Sequence, residues 1–360
     1  MLERPVTRSH RPARPARPAA GPGTRRIVMA LAGTLALALA GCSAGPARSV
    51  GAASPATESG GATGTATFAP LTLDNCGTTV ALTTAPKRVV TIKSTSTEML
   101  LSLGLQDLIV GTAFADGPPP DALTTAAAAL PVLSEQVPGQ EALLAADPDF
   151  VYGGWESNFS ADGAGDRATL AGHGIGTYVS PAACKEPGYQ PDPLTFDDVF
   201  AEIREAASIF GVTDRADALI ATQKAQLAAV TAPAKPTTAL WYSSGSDTPY
   251  VGAGIGAPEM MMKAAGLTNI FADVHDTWTS AGWEKIVAAD PSVIVLVDAS
   301  WNTAAKKIGL LEANPATNQL TAVREHRYLT VPFPAAEAGV RNVDAVVSLA
   351  KQLADLAPAS

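Results

Sequence analysis

Basic charge is in short supply in this chain: 25 Lys and Arg stand against 34 Asp and Glu, a net charge of -9. No basic face is available to neutralise phosphates, which excludes a nucleic-acid partner. Histidine is sparse as well, and His173, His275 and His326 are scattered with no ligand spacing, so no metal site is expected. The apolar run from Ile27 to Ala40 is too short for a comfortable membrane span. No Gly-x-Ser-x-Gly, His-Glu-x-x-His or phosphate-cradling Gly-x-x-x-x-Gly-Lys occurs, which lowers the weight of an enzyme. Gly252-Ala253-Gly254-Ile255-Gly256 lacks the spacing and strand context of a dinucleotide site and reads as a flexible loop. No cofactor is expected.

What is present begins at the N-terminus. Arg4, Arg8, Arg11, Arg14, Arg17, Arg25 and Arg26 precede the apolar run, and Leu39-Ala40-Gly41-Cys42 closes it. A charged n-region, a short apolar h-region and small residues form a secretory signal. Its end resembles the bacterial lipobox, in which the Cys, here Cys42, is lipidated. Thr24-Arg25-Arg26 is only a weak twin-arginine signal, so either export route remains open. Residues 43–69 are rich in Gly, Ala, Ser, Thr and Pro and read as a flexible tether. Of the three cysteines, Cys76 and Cys184 remain, and in an exported protein such a pair more often bonds than stays free.

With 360 residues, 47% of them hydrophobic, the chain can build two domains with real cores. Two phrases match. Gln140-Glu141-Ala142-Leu143-Leu144-Ala145-Ala146-Asp147-Pro148 leads into an apolar run, and so does Trp283-Glu284-Lys285-Ile286-Val287-Ala288-Ala289-Asp290-Pro291. Each reads as a short helix opened by Glu, an Ala-Ala-Asp-Pro break and a strand. Two ordinary αβ units are the plain reading; agreement in charge, breaker and strand favours two similar α/β lobes. Between them, Phe196, Val199, Phe200, Ile203, Ala206, Ala207 and Phe210 form one apolar helical stripe, capped by Thr195. Gly211 offers a stop and Thr213-Asp214 a restart, so a nearly continuous helix is expected across 195–231.

Strands are expected at 88–92, 108–111, 149–153, 176–179, 238–242, 293–297 and 328–331, with helices between them. Thr95-Ser96-Thr97-Glu98 reads as a capping box opening the first helix. Strands alternating with helices through short turns imply parallel sheets, whose ligands sit beyond the carboxyl ends of the strands. Those ends carry Lys93-Ser94, Trp155-Glu156, Ser180, Tyr242-Ser243 and Asp298 to Trp301. Trp155, Trp241, Trp278 and Trp301 lie at or just after them, which suggests a cleft that stacks a flat ligand.

Arg88-Val89-Val90, Thr97-Glu98-Met99-Leu100, Leu103-Gly104 and Ile109-Val110-Gly111 resemble the opening of the iron-siderophore and cobalamin class of ABC-importer substrate-binding proteins. The resemblance covers the body from about Leu71 to Leu356. It implies an α/β fold: two Rossmann-like lobes with parallel sheets (70–194 and 232–360), one long rigid bridging helix (195–231) and a ligand cleft between the lobes. It implies a monomer, lipid-anchored on the outer face of the membrane, that hands a small molecule to a permease dimer with a cytoplasmic ATPase. Glu141 and Glu284 match the family's permease-docking glutamates, and paired surface carboxylates would register both lobes on arginines of a symmetric dimer.

Gly154-Trp155-Glu156-Ser157-Asn158, Ser180-Pro181-Ala182-Ala183-Cys184-Lys185 and Trp241-Tyr242-Ser243-Ser244-Gly245 resemble an actinobacterial branch proposed to carry a deazaflavin coenzyme precursor. Lys93, Ser94, Trp155, Glu156, Tyr242, Trp278, Trp301 and Arg341 are the expected ligand contacts. The tryptophans suit a flat ring, and Lys93, Lys185 and Arg341 an anionic end. A ferric siderophore asks for similar groups, and heme or cobalamin is a further alternative. A secreted two-lobed hydrolase using Glu156 and Asp298 as acid and base ranks below these, because nothing arranges a nucleophile beside them.

Overall fold

The computed structural model describes residues 68–231, 233 and 237–356. The signal segment 1–42 with Cys42, and nearly all of the tether 43–69, lie outside the described residues.

The first lobe opens with a hairpin, β1 (Leu71–Asn75) and β2 (Thr78–Leu82), that the strand pattern did not predict. Its two turn residues, Cys76 and Gly77, both have positive φ (50° and 73°), as a tight hairpin turn requires. There follow β3 (Val89–Ile92), α1 (Ser94–Ser102), β4 (Ile109–Ala113), α2 (Thr124–Ala128) and β5 (Val132–Ser134). Next come α3 (Gln140–Ala145), β6 (Phe150–Gly153), α4 (Arg167–Gly172) and β7 (Gly176–Val179). The five strands make a parallel sheet in the order β5-β4-β3-β6-β7, with the chain reversing its winding direction between β3 and β6. The outer edge of β7 is closed by Asn75, whose side chain accepts from the Val179 N–H and donates to the Val179 carbonyl, both at 2.8 Å. A disulfide between Cys76 and Cys184 fixes the hairpin to the segment after β7.

The expected single long helix is two helices, α5 (Phe196–Phe210) and α6 (Thr213–Ala228). Gly211, at φ 69°, ends the first in the left-handed conformation that suits glycine. Ion pairs then show that the chain turns back: Arg204 meets Asp217 at 3.3 Å and Lys224 meets Asp197 at 3.6 Å, an antiparallel order. The apolar stripe of α5 is buried as its periodicity predicts, and Thr195 and Asp198 form a capping box. Helix α6 touches both lobes. Arg215 donates to the Leu103 and Gly104 carbonyls of the first, while Gln223 donates to the Val340 carbonyl of the second at 2.8 Å.

The second lobe comprises β8 (Thr237–Ser244), β9 (Tyr250–Gly252), α7 (Ala257–Ala264), β10 (Leu267–Asn269), β11 (Trp278–Ser280) and α8 (Trp283–Ala289). It finishes with β12 (Val293–Asp298), α9 (Ala304–Ala313), α10 (Thr321–Arg324), β13 (Tyr328–Pro332) and α11 (Asn342–Asp355). Its sheet runs β11-β9-β8-β12-β13, with β10 also on β8. Strands β10, β12 and β13 continue the parallel arrangement, whereas β9 and β11 are antiparallel, so the sheet is mixed rather than purely parallel. The cause is local: β8 folds straight back into β9 through Gly245 at φ 84°, where a Cβ would lie 2.2 Å from the Thr248 carbonyl oxygen.

Two further readings change. The loop at Gly254 is pinned: Ala253, Gly254 and Ile255 donate to the Thr277, Val274 and Asp276 carbonyls. The first helix starts at Ser94 with Lys93 at its cap, which puts Thr95 and Glu98 inside the helix and leaves no capping box; Glu98 bonds to Arg341 instead. The matched phrases keep their likeness. Glu141 and Glu284 each sit second in their helix and are exposed, and Asp147 and Asp290 both take positive φ (50° and 39°) before the proline. The largest apolar core runs through both lobes, joining Leu100 and Phe210 to Met261 and Val346.

Candidate functional site

In a sheet wound in both directions from a central strand, the loops after the strands part at the reversal point and leave a crevice. Here that point lies beyond β3 and β6, and Lys93 and Trp155 follow those strands directly. Lys93 holds a backbone conformation unusual for a side-chain-bearing residue, φ 86°. Such a conformation costs about 1–3 kcal/mol and persists where the surroundings over-determine it. They do so here. The Lys93 ammonium is fully buried, pairs with the Asp116 carboxylate and lies 3.2 Å from Glu337 of the other lobe. It sits 3.3 Å from the centre of the Trp155 ring, with the Phe114 and Phe333 rings at 5.1 and 5.2 Å. The Trp155 indole N–H donates to Glu337 Oε1 at 2.9 Å. Gly154 makes this packing possible, since a Cβ there would lie 2.5 Å from Thr95 Oγ1.

Glu337 therefore shares one ammonium with Asp116 in a desolvated place. Burial pushes its carboxyl up to about 7; the Lys93 charge works against this and the Asp116 charge adds to it. A second contact between the lobes lies alongside. Arg341 donates through Nε and Nη2 to both oxygens of Glu98 and through Nη2 to the Pro118 carbonyl at 2.6 Å. Burial raises the Glu98 carboxyl, and the bond to Arg341 opposes it.

Above this floor a cavity of about 740 Å³ opens between the lobes. Its aromatic lining comes from Trp155 on one side and Tyr250, Trp278 and Phe333 on the other. Tyr250 and Trp278, diagonal neighbours on β9 and β11, stack nearly parallel, 13° apart with centroids at 5.8 Å. Ser180, just after β7, and Ser243 and Ser244, the last residues of β8, supply hydroxyls, and Lys185, Asp276 and Glu337 are the charged lining residues. Among the described residues no group of His, Cys, Asp and Glu is arranged to hold a metal ion.

Of the residues singled out in the sequence, Trp155, Trp278, Lys185, Ser180 and Ser243 line the cavity. The others lie outside its lining, each for a visible reason. Lys93 and Arg341 are engaged by carboxylates, and Ser94 is buried and accepts from the Asp116 N–H at 3.1 Å. Glu156 accepts from the Lys185 N–H at 2.5 Å, which holds the loop after β7. Tyr242 is buried, donates to the Gly245 carbonyl and packs edge-on to Trp283. Trp301 is 56% exposed and meets the edge of Phe333 with centroids 5.0 Å apart, so it stands beside the lining rather than in it. Trp241 is completely buried. Phe333 and Glu337 were missed, although they follow the carboxyl end of β13 and the same strand-end rule reaches them. Asp116 carries no sequence signal.

No curated protein sequence matches the chain. Solved structures do. A periplasmic binding protein from Veillonella parvula is 26% identical, with a TM-score of 0.71 over 79% of this chain and 97% of its own. A structure described as an ABC-type Fe3+-hydroxamate transport system, from Saccharomonospora viridis, is 28% identical with a TM-score of 0.67, covering 79% and 98%. A periplasmic heme-binding protein from Roseiflexus shares the fold at 22% identity and a TM-score of 0.60, covering 76% and 99%. The periplasmic binding protein family profile matches residues 89–335, the greater part of both lobes. The chain belongs to the periplasmic binding protein family.

Proposed function

We propose that this protein is the solute-capturing component of an ABC importer, lipid-anchored through Cys42, and that it takes a small organic molecule with a planar ring into the cleft between its lobes. Family membership implies an extracytoplasmic location and a small-molecule ligand. The observation that carries the planar-ring reading is the aromatic lining: Trp155 from one lobe and the stacked pair Tyr250 and Trp278 from the other line one cavity. Its volume falls in the range of sites that enclose drug-sized ligands. A deazaflavin coenzyme precursor, whose flat ring system suits this lining, is the leading ligand; of Lys93, Lys185 and Arg341, expected at its anionic end, only Lys185 is in the lining. A ferric siderophore is the second reading, favoured by the likeness to the Saccharomonospora structure.

Binding without chemistry agrees with the fate of the two acids that a hydrolase would have used. Glu156 accepts from the Lys185 N–H, Asp298 accepts from the Ala304 N–H, and neither lines the cavity. Delivery falls to Glu141 and Glu284, exposed at equivalent places in α3 and α8, as the carboxylates that meet the permease. The test is the Glu141→Ala, Glu284→Ala double variant in an uptake assay. Ligand affinity is expected to match the wild type while uptake falls to background; undiminished uptake overturns the docking assignment.

A further inference from the structure

The cleft brings together aromatic surface and an acid whose neighbouring cations are already spent. We infer that it selects planar ligands that present hydrogen-bond donors and carry no net negative charge, with Glu337 as the residue that reads them. This rests on the planar-ring reading above and narrows it to a charge class, favouring ring-and-polyol ligands that lack the anionic end expected from the sequence.

Each cation near the floor is matched by a carboxylate of the protein itself. Lys93 lies under the Trp155 ring, paired with Asp116 and Glu337, and has no exposed surface. Arg341 is bonded through two nitrogens to Glu98. An anionic ligand group would therefore have to displace Glu337 or Glu98 before meeting either charge. In the lining itself, Lys185 stands against Asp276 and Glu337. Their weights differ with depth. Lys185 and Asp276 are exposed, so water and salt screen them, whereas Glu337 sits in the desolvated floor. Among the charged lining residues, the one least screened from a buried ligand group is thus the acid.

Glu337 keeps accepting capacity toward the cavity. An ionised carboxylate offers about four lone-pair sites. One takes the Trp155 indole N–H, and the Lys93 ammonium lies against the other oxygen. The remainder suits a ligand hydroxyl, imide N–H or amine. A phosphate or carboxylate at the same place would meet the acid with like charge or force it to take up a proton, and like-charge contact in a desolvated site is a strong means of rejection.

A matched pair of probes tests this: riboflavin, a flat ring with a neutral polyol chain, and flavin mononucleotide, the same molecule with a phosphate at the end of that chain. Binding is followed by quenching of tryptophan fluorescence and by calorimetry at about pH 8.5, above the value of about 7 at which burial makes Glu337 take up a proton. The expected result is riboflavin at least about tenfold tighter than the mononucleotide. In Glu337→Gln that gap should shrink, and an unchanged circular-dichroism spectrum with a cooperative thermal transition shows that the variant is folded. Equal or tighter binding of the mononucleotide to the wild type overturns the charge selectivity but leaves the planar-ring reading in place. A gap unchanged in Glu337→Gln removes Glu337 from the role. Binding of neither flavin overturns the planar-ring reading and the inference with it.

Discussion

Glu337 and Glu202 share a physical situation that sequence hides. Each is a carboxyl pushed up to about 7, chiefly by burial. Glu337 faces Lys93, Asp116 and the Trp155 indole. Glu202, on α5, faces the Tyr152 hydroxyl at 2.8 Å, Ser180 and Glu205, and Tyr178 donates to Glu205 next to it. A carboxyl raised from its ordinary 4.5 favours the folded state when protonated. That contribution is complete below the ordinary value and disappears as pH rises through about 7. Thermal unfolding should therefore show a midpoint that falls between about pH 5 and pH 8. Glu337→Gln and Glu202→Gln should each flatten that slope; a midpoint that rises over the same interval contradicts the assignment. Neither partner set was legible beforehand. Lys93 and Arg341 advertise charge in the sequence, but Asp116, Glu337 and Glu98, which consume it, lie far away along the chain. A cation at a strand end reads as a ligand contact until its partner is seen.

At the scale of elements, most of the fold was legible because it is periodic. Strands β3, β6, β7, β12 and β13 and the apolar stripe of α5, from its Thr195 cap to its Gly211 stop, lie within a residue or two of their expected places. The Ala-Ala-Asp-Pro phrases were legible for a related reason: helix, left-handed Asp and proline are all local, so the same letters give the same geometry twice. Direction after a break is different. Gly211 announces a stop, but only contacts such as Asp197 with Lys224 show that α6 returns along α5. The antiparallel β9 and β11 were hidden similarly, since hairpin pairing follows from a turn and not from strand composition. The β1–β2 hairpin depends on its anchor, the disulfide closing a separation of 108 residues. A closed loop of that length stabilises by about 4–5 kcal/mol in the chain-entropy account, and removing a native disulfide typically costs about 2–5 kcal/mol. Cys76→Ser with Cys184→Ser should lower stability to denaturant by that amount. An unchanged denaturation midpoint would show that the Asn75 and Arg167 hydrogen bonds hold the hairpin alone.

For the whole molecule, the lobes are joined in three ways: the α5–α6 hairpin, an apolar core shared by both lobes, and the two ionic contacts beneath the cavity. So many ties favour small adjustments of packed surfaces over a wide hinge movement. The cleft is then largely formed before the ligand arrives, and its aromatic walls set what it accepts. The decisive measurement is an absorption and mass spectrum of the soluble body, starting after Cys42, recovered from host-cell extract beside a Trp155→Ala, Trp278→Ala variant. A small chromophoric organic molecule should leave with the wild type and be lost from the variant. The same molecule on both proteins, at the same yield, would contradict the cleft as the binding site.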